Sequence, residues 1–375
     1  MDKSIKVLQV NSGSKTYGGG SAILYEIYKN IDKNKVQFDF LTPEITTYEF
    51  RREEIESMGG RIFELKVSVN SMKTKFLLTK RLYSFLKENK YDVIHINSGK
   101  FFFILQVALV SKIAKNKKII IHVHNPVNNN KFFRQILINI CKPLIKLVAT
   151  DYFACSMLAA KSMFTRSVIS SSKFKIIKNG IEVEKFKFDN DIRREYRKQL
   201  NIEDKLVICN IGRFVEQKNH RFLIDIFQEV YKQDKNVILL LIGEGPLEED
   251  TKEQVEQLGL DKNVLFLGLR DDIANILQSV DCFVLPSLYE GFGIVGVEAQ
   301  ATGLPCFVSA NLPEELKVTD NIEYISLEEN PEIWANKIIE KKIDYDRTNC
   351  YKLVKDKGYD IKEVSKNLEE FYYNY

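Results

Sequence analysis

The chain has 375 residues, is 45% hydrophobic and 28% charged, and carries a net charge of +4. That balance excludes disordered and fibrous classes, and the length suits two cores better than one. No apolar run approaches the roughly 18 residues of a membrane span, and residues 1–9 read as a strand rather than a signal segment, so a cytoplasmic protein is expected.

In chain order, apolar runs at Ile5 to Val10, Phe38 to Leu41, Arg61 to Leu65, Val93 to Ile96 and Ile119 to Val123 read as strands, with helical patterns between most of them. The alternation predicts parallel β-α-β units. A second series follows at Leu206 to Ile211, Val237 to Ile242, Val264 to Leu267, Cys282 to Leu285 and Pro305 to Val308. The fold class is therefore α/β: two Rossmann-like, doubly wound domains, expected to face a central cleft. The turn Asn179-Gly180 and the charged stretch after it place the division at 1–185 and 186–360. The last segment, 361–375, has Val364, Leu368 and Phe371 at helical spacing and is expected to pack back on the first domain.

Charge divides along the same line. Residues 1–185 hold 31 Lys and Arg against 15 Asp and Glu, net +16; the remainder holds 24 against 36, net −12. A basic half fits an anionic partner, a membrane surface or a nucleic acid, or simply a solvated lysine-rich surface. Its aromatics form no base-stacking module, so nucleic acid is set aside. The basic and apolar runs Lys73 to Arg81 and Lys131 to Lys146 suit helices lying on an anionic bilayer, although Phe132 and Phe133 would serve equally as core. The cysteines Cys141, Cys155, Cys209, Cys282, Cys306 and Cys350 lie without short-spaced pairs and read as reduced core residues.

Open parallel sheets bind ligands at the carboxyl ends of their strands, which directs attention to the residues just after each one. After the first come Asn11-Ser12-Gly13 and Tyr17-Gly18-Gly19-Gly20, leading into a helix whose free amides would favour an anion, although a plain turn explains them as well. The spacing is not that of a dinucleotide fingerprint, which weakens a dehydrogenase reading. After Leu206 to Ile211 come Gly212-Arg213 and Lys218, two cations able to hold a diphosphate. The sharpest segment runs from Leu285 to Pro305: a strand ends, Gly291, Gly293 and Gly296 expose backbone, a helix begins near Gly293, and Glu290 and Glu298 lie eight residues apart. A helix N-terminus beside carboxylates suits a ligand with both phosphate oxygens and sugar hydroxyls.

Over nearly its whole length the chain resembles the family 4 retaining glycosyltransferases of the GT-B fold. The resemblance rests on Tyr17 to Gly20, Asp92 to His95, His122-Val123-His124-Asn125, Ile177 to Ile181, Gly212-Arg213 with Lys218, Gly243 to Pro246, and the two glutamates Glu290 and Glu298. It implies transfer of a sugar from a nucleotide sugar, with uracil as the expected base, to a saccharide or lipid-linked acceptor in bacterial exopolysaccharide, capsule or O-antigen assembly. By the same resemblance Arg213 and Lys218 would neutralise the leaving diphosphate, and Glu290, with amides near Phe292, Gly293 and Ile294, would hold the transferred sugar and phosphate. Glu298 would bind the ribose. Gly19, Gly20, Gly212 and Gly243 would line the donor, Arg270 would lie near the base, and His124 would reach the donor sugar. His122, Asn125 and Asn97 mark the acceptor region.

No metal or other cofactor is expected, because those cations and the helix end can stabilise the leaving group; Asp344-Tyr345-Asp346 reads as solvated surface rather than a metal site. Peripheral attachment to the inner face of the membrane is the expected location. A nucleotide-sugar epimerase and a non-catalytic nucleotide-sugar-binding subunit are the competing readings.

Overall fold

The computed structural model describes residues 4–12, 19–44, 48–67, 72–126, 132–341 and 346–374. It divides into two compact units, 1–180 with 361–375, and 181–360. Each is a parallel sheet flanked by helices.

In the first unit β1 (Ile5–Asn11), β2 (Val36–Thr42), β3 (Ile62–Glu64), β4 (Val93–Asn97), β5 (Lys118–Val123), β6 (Asp151–Ala154) and β7 (Phe174–Ile176) lie in the order β3-β2-β1-β4-β5-β6-β7. Every pairing among them is parallel. The strand order reverses between β1 and β4. The C-terminal helix Ile361–Tyr373 closes this unit: Val364, Leu368 and Tyr372 are buried, and the Tyr372 ring meets Phe38 edge-on at 5.8 Å. Phe371 packs on Phe153 at 5.0 Å beneath the ammonium groups of Lys118 and Lys175.

In the second unit β8 (Leu206–Ile211), β9 (Val237–Ile242), β10 (Val264–Phe266), β11 (Cys282–Leu285), β12 (Cys306–Ser309) and β13 (Ile322–Ile325) lie in the order β10-β9-β8-β11-β12-β13, reversing between β8 and β11. Strand β9, Val-Ile-Leu-Leu-Leu-Ile, is buried throughout, as a parallel strand covered on both faces must be. Its core includes Phe214, Phe227, Phe307 and Trp334. The six cysteines are free, and all but Cys141 are buried. Burial pushes the thiols of Cys209, Cys282 and Cys306 far up, which keeps them protonated and inert.

Candidate functional site

In the second unit the two strands flanking the reversal, β8 and β11, each end in a loop, and hydrogen bonds tie the two loops together. The Leu288 amide donates to the Gln217 carbonyl at 2.8 Å. The Gln217 side chain donates to the Tyr289 carbonyl at 2.9 Å, and that of Asn219 to the Pro286 carbonyl at 3.2 Å. Asn219 adopts the left-handed conformation, φ 56°, that ends the first loop and starts the helix His220–Gln233. Behind it the buried His220 ring stacks on Phe214 at 4.1 Å; burial and nearby Lys218 lower its pKa to about 4, so it is a neutral packing group.

These ties bring Lys218 to Glu290, Nζ to Oε1 at 2.6 Å, with both side chains largely buried. Gln217 donates to the other carboxylate oxygen at 3.3 Å. Gly212 makes room for the pair, because a Cβ there would lie 3.0 Å from the Lys218 stem. Arg213 is exposed, and its guanidinium has no ion-pair partner among the described residues. A cation left unpaired beside a balanced pair provides local positive charge at the carboxyl edge of β8.

The loop after β11 enters the helix Ile294–Ala301 through Gly293, which caps it at φ 85°. The Ile294 and Val295 amides head that helix, where no intrahelical acceptor reaches them. Phe292 is directed inward, stacked on Tyr359 at 5.6 Å, so it can serve a ligand only through its backbone. Glu298 is half-buried, and its carboxylate has no partner among the described residues. Burial pushes its pKa up to about 7. Gly243, φ 137°, brings its backbone against the Gly212 carbonyl and donates to that of Gly268 at 2.9 Å. Two residues beyond Gly268, Arg270 is held in a fork by Asp272 at 2.6 and 2.8 Å.

In the first unit, Gly19 and Gly20 begin the helix Gly19–Asn30, and a Cβ on Gly20 would lie 3.8 Å from His124. His124 is 9% exposed and shares a hydrogen bond with Asn97 Oδ1 at 3.1 Å. His122 lies between His124, tilted by 37° at 4.0 Å, and His95, stacked at 5.3 Å. Burial lowers the pKa of His124 to about 4; burial and His124 lower that of His95 to about 3; burial, His124 and His95 hold that of His122 well below the usual imidazole range. All three are neutral near pH 7. Asn125 lies just outside this cluster, its carbonyl 3.4 Å from where a Cβ on Gly99 would stand.

Gln217, which orients Glu290, and the buried Gln9 and Tyr372 are not among the residues singled out from the sequence, and His95 enters there only as part of the Asp92 to His95 motif. Gln9 and His95 have a usable signal, polar side chains inside otherwise apolar strands. Tyr17, Gly18 and Lys131 lie outside the described residues, as do Asp344 and Tyr345. Asp346 caps a turn, accepting from the Thr348 amide at 2.8 Å. Among the described residues no group of three or more His, Cys, Asp or Glu is placed to hold a metal ion.

Residues 192–352 match the family model of glycosyl transferases group 1, and residues 17–185 that of glycosyltransferase family 4. The chain is 32% identical over 336 residues to the putative glycosyltransferase EpsF of Bacillus subtilis (strain 168), spanning 89% of this chain and 86% of that protein. It is 31% identical over 182 residues, 47% of either chain, to the capsular polysaccharide biosynthesis glycosyltransferase CapM of Staphylococcus aureus. Among solved structures, that of Anabaena HepE in complex with UDP and glucose is similar with a TM-score of 0.79 at 20% identity, covering 99% of this chain and 100% of that one.

Proposed function

The chain belongs to the family 4 glycosyltransferases, with the two parallel-sheet domains of the GT-B fold, and from that premise we propose that it moves a sugar from a UDP-sugar, with retention and without a metal, onto a saccharide or lipid-linked acceptor in the assembly of a bacterial surface polysaccharide. The observation that carries this reading is the joined pair of loops after β8 and β11, where Arg213, without an ion-pair partner among the described residues, shares a loop with Lys218, and Lys218 is paired with Glu290 on the approach to the helix end at Ile294.

Departure of the nucleotide leaves a diphosphate anion and a positive centre on the sugar. Arg213 and Lys218 are assigned to the anion, and Glu290, with the amides of Phe292, Gly293 and Ile294, to the transferred sugar and its phosphate. Glu298 is assigned to the ribose hydroxyls, and Gly212, Gly243 and Arg270 to the rest of the donor. Gly19, Gly20 and His124 are assigned to phosphate and sugar hydroxyls bound by the first unit, and Asn125, with the buried Asn97 and His122 behind it, to the acceptor region. CapM and the HepE complex support the pathway and the donor by similarity.

The test is calorimetry with a panel of UDP- and GDP-sugars in EDTA, alongside a transfer assay. Binding of one UDP-sugar, lost in Arg213→Ala and Glu298→Ala, is expected. Binding that requires a divalent ion, or that survives both substitutions, overturns the site, and release of an altered nucleotide sugar without an acceptor would identify an epimerase. Because a carboxylate accepts hydroxyl hydrogen bonds best when ionised and Glu298 titrates at about 7, donor affinity should rise from pH 6 to pH 8. Glu298→Gln should flatten that rise.

We further assign the first unit to an anionic bilayer. No helix among the described residues is long and apolar enough to cross one. The helical stretch from Phe132 to Val148 instead exposes Phe133, Ile136, Leu137, Ile140, Leu144 and Leu147 beside Lys146. Vesicles containing phosphatidylglycerol should sediment the protein and release it at high ionic strength. Ile140→Glu with Leu147→Glu should abolish the binding; no sedimentation of the wild type would refute the assignment.

A further inference from the structure

Parallel strands covered on both faces are ordinarily apolar, yet one face of the first sheet carries Gln9 on β1, His95 and Asn97 on β4, and His122 on β5, all at most 6% exposed. Register explains the grouping, since Gln9 pairs with His95, and Asn97 with His122. His124 continues the same alternation just past β5, and the C-terminal helix adds Tyr372 to this layer.

The hydrogen bonds run in one direction. Asn97 Nδ2 donates to the His95 carbonyl at 3.2 Å, a group that can only accept, and to Gln9 Oε1 at 2.8 Å. That fixes the Asn97 amide with Oδ1 toward His124 Nε2, 3.1 Å away, so Nε2 must carry the proton. Since Gln9 Oε1 accepts from Asn97, its Nε2 donates to the Tyr372 hydroxyl at 3.4 Å, and that hydroxyl donates to His95 Nδ1 at 2.5 Å. Each group donates to the next, from His124 through Asn97, Gln9 and Tyr372 to His95. The other nitrogen of His124, Nδ1, is then an acceptor, and it is a buried atom with no hydrogen-bond partner among the described residues.

We propose that Asn97, Gln9 and Tyr372 are positioning residues that hold His124 as the Nε2-protonated tautomer and keep its Nδ1 an acceptor for a sugar hydroxyl. An acceptor nitrogen on a neutral ring can take a hydroxyl proton but repels a phosphate oxygen, so the chain sets which part of a ligand His124 serves. The burial that keeps all three histidines neutral is what makes a tautomer, rather than a charge, the controlled quantity. The proposal rests on the assignment of His124 to a sugar hydroxyl.

The full-length protein labelled with 15N-histidine gives the test, because long-range 1H–15N correlations report the tautomer of each ring independently of activity. His124 should show Nε2 protonated, the preference should vanish in Asn97→Ala, and His95 should lose its own in the milder Tyr372→Phe. Both variants should lower kcat by about tenfold, the worth of one hydrogen bond, at unchanged donor KM. A His124 protonated at Nδ1, or a tautomer unmoved by Asn97→Ala, overturns the proposal. Wild-type turnover in His124→Ala removes the assignment of His124 to substrate, and the positioning role with it. The donor assignments on the second unit would stand, since Arg213→Ala and Glu298→Ala test those separately.

Discussion

Glu290→Gln should lower kcat by about 10²- to 10³-fold while nucleotide affinity stays near that of the wild type, because the substitution removes charge from the sugar side of the donor and leaves the phosphate side intact. Glu290 is bound through both oxygens, to Lys218 at 2.6 Å and Gln217 at 3.3 Å, so its orientation is set before substrate arrives. Such preorganisation is most valuable where charge develops only in the transition state. Glutamine keeps the size but not the charge, and its single oxygen, in that geometry, can accept from only one of Lys218 and Gln217, so Lys218 is then free to give its whole charge to the diphosphate. Lys218→Ala should behave in the opposite way, weakening UDP and leaving Glu290 as an unpaired buried carboxylate. Steady-state kinetics with calorimetry of UDP on both variants decides the matter. Equal losses of rate and UDP affinity in Glu290→Gln would place Glu290 on the nucleotide instead. Thermal melting of each variant reads out how far the pair also supports the fold.

The residues of that pair were legible because of where they stand. Gly212, Arg213 and Lys218 follow an apolar run, and Glu290 follows another, so knowing that parallel sheets bind at their carboxyl ends was enough to select them. Long apolar strands such as β8 and β9 were legible for the same reason. Strands β6, β7 and β13 were missed; they are three or four residues long, and Asp151, Lys175 and Glu323 break their apolar pattern. The partners that set geometry were harder to see. Gln217 looks like any surface glutamine, and Tyr372 stands 363 positions from Gln9, so only the folded chain brings them together. Of the two readings open for Phe132 and Phe133, the structure turns Phe133 outward, 85% exposed, a choice that basic and apolar alternation alone could not make.

Gly243→Ala should destabilise the second unit by about 3 kcal/mol, through left-handed backbone strain and overpacking together. The resemblance implies that Gly243 lines the donor, but the geometry gives the Gly243-Glu244-Gly245 turn a packing role first. A Cβ on Gly243 would lie 2.2 Å from the Gly212 carbonyl, and one on Gly245 2.4 Å from the Phe214 carbonyl. Neither obstacle is the end of a flexible side chain; both are backbone of the loop that carries Arg213. Phe214 donates to the Glu244 carbonyl at 3.1 Å and accepts from Leu247 at 3.1 Å, so the loops after β8 and β9 are laced together. Gly259 provides the control: its φ of 65° is also left-handed, yet nothing lies within 4 Å of its Cβ position. Gly259→Ala should therefore cost only the conformational strain, about 1 kcal/mol. Urea unfolding of the two variants separates the effects, and similar midpoints would show that close approach at Gly243 carries no weight. Displacing the Gly212 carbonyl also shifts Arg213, the next residue, so the folded fraction of Gly243→Ala should bind UDP more weakly than Gly259→Ala. Loss of binding without loss of stability would instead return Gly243 to direct contact with the donor.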